Sequence, residues 1–344
     1  MKLLSFTRLG KTGFGAVVKD GIVDLTGKLD PEINSIKELI SLNMENEAEE
    51  FIAGKTKDLS FSDFTFLPVI PNPEKIMCIG LNYLEHKKET GRPDVDNPTI
   101  FTRFADSQVA HLQPLIKPDN SDRFDYEAEM AIVIGKGGRF ISEEDALNHI
   151  AGYTCYNDGS VRNYQRHTSQ FTPGKTFPGT GGFGPYLVTP SEVGDYKKLP
   201  IELRLNGNVM QKATLADLIF PIPRLISYIS EFTALSSGDV IVTGTPGGVG
   251  DKRNPPVYMV PGDIVEVDIG LLGVLKNGVS ITSLSLNSDA ERCAGRGPGA
   301  VRGRGAVRRD GGATLPSPSS HVVAGRVQCA LRPRACACRV RRAG

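Results

Sequence analysis

Nothing in this chain alternates strand and helix at a regular spacing, and that pattern narrows its fold more than any other feature. Short apolar runs, bounded by Gly, Pro and turn dipeptides, recur through most of its length. Helical signals are few and scattered among them. A TIM barrel or a doubly wound sheet needs a repeating β-α-β-α order, so both are disfavoured. No internal repeat points to a solenoid or propeller. A mixed, β-rich α+β fold is expected.

The local signals divide the chain. Residues 15–19 and 21–25 read as a hairpin around Lys19-Asp20-Gly21, since Asp-Gly is a strong turn signal. Residues 36–40, and on toward Ile52, suggest one or two amphipathic helices. Pro68, Pro71 and Pro73 mark a linker. Residues 1–70 are therefore expected to form a small N-terminal α/β domain. In the body, residues 75–80, 129–134, 152–157, 239–243, 264–269 and 273–275 read as strands. Residues 201–205 and 209–211 read as a hairpin around Asn206-Gly207. Residues 82–90 predict a short polar helix and residues 222–232 an amphipathic one. Ser142, with Asp145 three positions on, predicts a third, capped helix.

Charge separates a third region. The net charge of +1 hides a split. Residues 285–344 hold 12 Arg, no Lys and 3 acidic residues, a balance of +9, which leaves −8 for residues 1–284. This tail is rich in Gly, Ala, Arg and Pro and has no hydrophobic periodicity. It reads as a disordered, non-native extension; an Arg/Gly-rich RNA-binding arm is the other reading. The acidic body gives no sign of a nucleic-acid partner. Trp is absent and aromatics are few, which weighs against a surface built to stack bases or sugars.

Four of the six Cys lie in the tail, and Cys78 and Cys155 sit in apolar runs. That usage fits a reducing, cytoplasmic setting with buried free thiols. The opening MKLLSFTRLG is too short in apolar residues for a secretory segment, which needs roughly 7–15 of them. No stretch approaches the ~20 apolar residues of a membrane span.

The chemistry is concentrated in a few places. Asp125-Tyr126-Glu127-Ala128-Glu129 opens a predicted strand, where residues i and i+2 share a face. Glu127 and Glu129 project together, and two such carboxylates repel unless a cation sits between them. Mg²⁺ or Mn²⁺, which prefer oxygen ligands, would serve; a solvated strand edge is the other reading. Asp158 ends a second apolar strand as a third ligand, or caps the helix that follows. Arg162 and Gln165 share a face of that helix. Arg162 could grip a substrate carboxylate or form a surface ion pair. His86 and Glu89, at i and i+3, could form a dyad that deprotonates water, or belong to an exposed polar helix. His111 and His167 read as structural or solvent-facing. The Gly/Pro-rich segment 169–184 carries Lys175, a candidate to stabilise an oxyanion. Thr245, in Gly244-Thr245-Pro246-Gly247-Gly248, could donate a hydroxyl. Neither loop has phosphate-binding P-loop spacing, and no nucleophile elbow or catalytic Cys motif is present.

Taken in order, GLNYLEH, DYEAE, GYTCYNDGSVRNYQ, TPGKTF, SGDVIVTGTPGGVG and PGDIVEVDI with GVLKN resemble the fumarylacetoacetate hydrolase family over residues 73–284. The resemblance implies a β-roll catalytic domain over residues 71–284, usually in a homodimer. It implies Mg²⁺, Mn²⁺ or Ca²⁺ held by Glu127, Glu129 and Asp158. It assigns the base to His86 with Glu89, the active-site lysine to Lys175, and polar substrate contacts to Tyr83, Arg162, Gln165 and Thr245. Larger members add a carboxylate ligand where this chain has Asn82, so water is expected to complete the shell.

The function expected on these grounds is hydrolysis of a carbon–carbon bond in a small 2,4-dioxo acid of the acylpyruvate type. His86 would deprotonate a water that attacks C4, and the pyruvate enolate would leave. Isomerisation of a hydroxymuconate-like diacid, or decarboxylation of an oxaloacetate-like one, is the alternative at the same site. A metal-stabilised binding protein without catalysis is a remote third.

Overall fold

The computed structural model describes residues 1–91 and 95–281. The basic tail, with its disorder and RNA-arm readings, lies outside the described residues.

The apolar run that follows Glu129 forms the strand Ala128–Ile134, and every residue in it is buried. Ile150–Asp158, paired antiparallel with it, is buried throughout as well. A strand covered on both faces needs apolar residues at odd and even positions alike. Here Met130, Ile132 and Ile134 enter one core, while Ala131 and Val133 enter another on the opposite face.

Both strands lie in the middle of an eleven-stranded sheet among the described residues. Its main path runs Gly21–Asp24, Lys11–Val18, Lys2–Arg8, Gly181–Val188, Ile150–Asp158, Ala128–Ile134, Val240–Val242, Ile76–Gly80 and Thr99–Arg103. A five-stranded sheet, ordered Asn208–Thr214, Pro200–Leu205, Ile264–Asp268, Val274–Ile281 and Leu115–Lys117, shares the first core. The helix Ile222–Phe232 joins that core through Ile222, Leu225, Ile226 and Ile229, the spacing of one helical face. The helices Ile36–Ser41 and Glu45–Ile52 cover the second core.

The hairpins form where the turn residues place them. Val18 pairs with Gly21 across Lys19-Asp20, and Asp20 takes a φ of 65°. Asn206 and Gly207 both take positive φ, 52° and 79°, as the turn that matches strand twist requires.

Two expectations change. Residues 1–70 do not stand apart: Lys2–Arg8 pairs with Gly181–Val188, at Lys2↔Val188 and Leu3↔Leu187, and extends the central sheet. That pairing joins segments about half the chain apart, so no local signal announces it. The helix expected at Ser142 shrinks to a turn and the 3₁₀ segment Ala146–His149. The Asp145 N–H donates to Ser142 Oγ (3.3 Å), but the Asp145 carboxylate accepts from Asn148 (2.9 Å) and faces His149 (3.1 Å) instead of closing the capping box. The strand from Ile150 then claims the chain.

Among the described residues, no helix is long and apolar enough to cross a membrane. Cys78 and Cys155 are buried free thiols.

Candidate active site

Antiparallel register builds the floor of the site. Glu129 stands opposite Tyr156, and Ala128 opposite Asn157. Residues facing across a ladder share a side of the sheet, as do residues two apart. Glu127, Glu129, Tyr156 and Asp158 therefore project from the same face. One carboxylate oxygen from each of Glu127, Glu129 and Asp158 lies within 4.8 Å of the others, and all three residues are buried. The register of the next strands, Ala131↔Val242, Val242↔Cys78 and Cys78↔Phe101, carries that face out to Phe101 and Arg103.

Three buried cations answer these carboxylates. Lys175 Nζ lies between Glu127 (2.7 Å) and Asp158 (2.6 Å), 5.1 Å from the Phe101 ring centroid. Arg162 donates from Nε to Asp125 (2.8 Å) and from Nη1 to Gln165 (2.9 Å), and pairs with Glu127 at 2.7 Å. Arg103 donates to Asp158, to the Gly159 carbonyl (3.0 Å) and to Thr180 Oγ1 (2.8 Å). Burial works to raise the Glu127 carboxyl, but Lys175 and then Arg162 outweigh it and hold it at about 2. Glu129 differs. It has no ion-pair partner among the described residues and accepts from the Gly244 N–H. Burial, then Asp158 and Glu127, push its carboxyl well up.

This imbalance is the test of whether a cation fits. Asp125, Glu127, Glu129 and Asp158 face Lys175, Arg103 and Arg162, one positive charge short, and the shortfall falls on Glu129. The Lys175 ammonium already stands where positive charge is wanted between two of the carboxylates. Three converging, buried oxygen donors suit a hard divalent cation. Asn82 offers nothing to it. Its Nδ2 donates to the Phe220 and Thr243 carbonyls (3.1 and 2.8 Å), and its Oδ1 accepts from the Phe220 N–H (2.7 Å).

A cavity of about 230 Å³ opens above the triad. His86, Arg162, Gln165, Lys175 and Thr245 line it with Phe101 and Phe171. His86 Nδ1 lies 3.5 Å from Glu89 Oε2 and has no hydrogen-bond partner, a separation that a bound ligand could close. Burial pushes the Glu89 carboxyl up, but the His86 contact and the Gly248 N–H outweigh it, so it lies below its usual range.

Several expected roles are altered. Tyr83 is buried and is not among the cavity-lining residues, and its hydroxyl has no hydrogen-bond partner among the described residues. Lys175, expected to face an oxyanion, spends its ammonium on two carboxylates. Arg162 spends Nε and Nη1, and only the buried Nη2 has no partner. Thr245 Oγ1 accepts from Gln211 Nε2 (2.8 Å). His111 accepts the Lys276 N–H (3.1 Å) and stacks edge-on with Phe66, a structural place.

Two residues went unread in the sequence. Asp125 accepts from Arg162, from the Gly250 N–H and from the Asp251 N–H (2.9 Å each for the two amides). Its signal was present, because Asp125, Glu127 and Glu129 share one period of two. Arg103 had only a weak one, the alternation of Phe101 and Arg103 in a short β-branched run. The short helix Thr172–Lys175 needs its glycine: a Cβ at Gly174 would lie 2.3 Å from the Gln165 backbone nitrogen.

Residues 75–280 match the family model described as fumarylacetoacetate (FAA) hydrolase C-terminal. The chain belongs to the fumarylacetoacetate hydrolase family. Among family relatives, the oxaloacetate tautomerase fahd2 of Xenopus laevis, named as mitochondrial, is 43% identical over 223 residues, 64% of this chain and 70% of that protein. Two solved family structures each cover 82% of this chain and 100% of their own. One is maleylpyruvate hydrolase from Sphingobium sp. SYK-6 with manganese(II) and pyruvate (27% identity, TM-score 0.69). The other is 5-carboxymethyl-2-hydroxymuconate delta-isomerase from Mycobacterium smegmatis (26%, 0.66). The family fold agrees with the β-rich mixed sheets described above.

Proposed function

We propose that this chain is a divalent-cation-dependent isomerase of a small 2-oxo diacid, interconverting the enol and keto forms of oxaloacetate. The observation that carries this reading is that His86 lines one small cavity together with Glu127 and Glu129 of the carboxylate triad. At about 230 Å³ it lies below the roughly 300–1,000 Å³ of sites that hold drug-sized ligands, which suits a four-carbon acid.

Glu127, Glu129 and Asp158 would hold the ion, Mg²⁺ or Mn²⁺, with Ca²⁺ also accommodated by oxygen ligands. Bound there, such an ion polarises a 2-oxo group and favours negative charge on its oxygen. The two tautomers differ only in whether one proton sits on the C2 oxygen or on C3. His86 moves the proton at C3, and Glu89 beside Nδ1 orients the ring. Gln165 and Arg162, which line the cavity, position the ligand's oxygens.

Carbon–carbon hydrolysis, the leading expectation from the sequence, takes second place. It rested on the His86–Glu89 pair as a water-activating dyad. A histidine able to deprotonate water can equally move a proton at carbon, so the pair does not separate the reactions. The tautomerase relative favours isomerisation, and the maleylpyruvate hydrolase neighbour keeps hydrolysis as the second reading. A homodimer in a reducing compartment completes the reading; buried free thiols suit the cytoplasm and the mitochondrial matrix alike.

The test presents the Mg²⁺-loaded protein with oxaloacetate and with acylpyruvates. Faster enol–keto interconversion with intact acylpyruvates is expected. Acylpyruvate cleavage at the higher kcat/KM would overturn the proposal in favour of hydrolysis. His86→Ala should lower the isomerisation rate by roughly 10²–10⁴-fold while metal affinity holds.

A further inference from the structure

The cations around the cavity divide into spent and unspent. Arg103, Lys175 and two donor positions of Arg162 are engaged with buried carboxylates. At the mouth, Arg166 is spent on Asp251, and Tyr258 donates to the same carboxylate at 2.8 Å. Lys252 also lines the cavity. It is exposed and has no ion-pair or hydrogen-bond partner for its ammonium among the described residues. Its neighbour Asp251 is the nearest carboxylate in sequence, but it is already answered twice.

The backbone that carries Lys252 is held in place. It ends the short 3₁₀ segment Gly250–Lys252, whose Gly250 and Asp251 N–H groups both donate to Asp125 (2.9 Å each). The same carboxylate accepts from Arg162 Nε at 2.8 Å. One buried anion therefore anchors two cavity-lining residues that each keep an unspent donor, Arg162 through its side chain and Lys252 through its backbone segment. A monocarboxylic 2-oxo acid gives the second of these nothing to bind.

We infer that Lys252 takes the distal carboxylate of the substrate and sets the preference for a diacid over a monoacid. The Arg166–Asp251 pair serves this by keeping Asp251 from neutralising Lys252. The inference rests on the proposed diacid substrate and assigns the residue that reads its second charge.

Malate and lactate form a matched pair for the test. They share the 2-hydroxy acid end, and malate adds one carboxylate at the far carbon; neither has a carbonyl to enolise. Their binding to Mg²⁺-loaded protein is measured by calorimetry for wild type, Lys252→Met and Lys252→Arg. Wild type should prefer malate. Lys252→Met should lose roughly tenfold in the malate-to-lactate affinity ratio, near the low end for a charged hydrogen bond at an open mouth. Its lactate affinity should not change, which shows an intact site, and Lys252→Arg should restore the preference.

An unchanged ratio in Lys252→Met, or no malate preference in wild type, overturns the inference. The two proposals fail separately. If wild type does not isomerise oxaloacetate but the ratio still falls in Lys252→Met, the diacid site stands and the reaction is misassigned. If isomerisation proceeds and the ratio does not move, Lys252 alone is misassigned.

Discussion

Replacing Arg103 by Met removes a guanidinium that is wholly buried and keeps a stem of similar shape. Five acceptors lose a donor: Asp158, the Gly159 carbonyl, Thr180 Oγ1 at 2.8 Å, and Ser107 at both Oγ (3.3 Å) and its carbonyl (3.5 Å). Asp158 would keep Lys175 at 2.6 Å, but Lys175 is shared with Glu127. Breaking one side of a buried pair costs about 3–5 kcal/mol, because the remaining charge is left in low dielectric. Against a typical total of roughly 5–15 kcal/mol, that is a large share. Arg103→Lys keeps the charge but cannot reach Asp158, Gly159 and Thr180 at once, so about 1–3 kcal/mol is expected. Arg103 also orients a candidate metal ligand, so Arg103→Met should weaken Mg²⁺ or Mn²⁺ binding by roughly 10–100-fold. Urea unfolding with chelator and with saturating Mg²⁺ measures both effects. The midpoint should fall in both conditions with an unchanged slope, and by more when metal is present, because the weaker-binding variant gains less stability from the bound ion than wild type does. A loss below about 1 kcal/mol together with wild-type metal affinity would refute the view of Arg103 as the partner that holds Asp158.

Three further outcomes follow from particular contacts. Glu127→Gln should reduce metal affinity by more than the roughly 100-fold seen for outer-shell changes, and abolish turnover; retention of both at wild-type level would remove Glu127 from the ligand set. Asn82→Asp would turn a carboxylate oxygen toward the Phe220 and Thr243 carbonyls, so a stability loss of about 1–3 kcal/mol is expected, without the tighter metal binding an added ligand would give. Burial, reinforced by Lys276, depresses His111 to about 4 from its usual 6.5. Below pH 6.5 the unfolded chain takes up a proton that the folded one refuses, so stability falls as pH drops from 6.5 toward 4. After discounting for partial exposure the loss is on the order of 1–2 kcal/mol, and His111→Gln should flatten that part of the stability curve.

The parts of this fold that were legible in the sequence are those with local causes. Asn206, Gly207 and Asp20 set their hairpins through backbone conformations that few residues adopt. The helix Ile222–Phe232 was readable to the residue because its apolar face repeats every three or four positions. Ser142 misled because an N-cap pattern was outcompeted by side-chain bonds from Asp145 and by the strand that follows.

The candidate site divides the same way. The period of a strand put Glu127 and Glu129 on one face, and the same period held Asp125, which went unread. Whether those carboxylates meet Asp158 depended on register between two strands some thirty residues apart, and Tyr156 opposite Glu129 is the pairing that settles it. Arg103 reaches Asp158 only because the sheet order places Thr99–Arg103 on that side of the face, and Lys175 because Gly174 lets its segment close on Gln165. The sequence by itself determined which residue types were available, which strands and turns would form, and which carboxylates would share a face. Tertiary structure alone decided which cations neutralise them and that, among the described residues, Glu129 is left without one and Lys252 lines the cavity without a partner. Backbone conformation is set by neighbours along the chain, whereas charge balance in a buried site is set by neighbours across it.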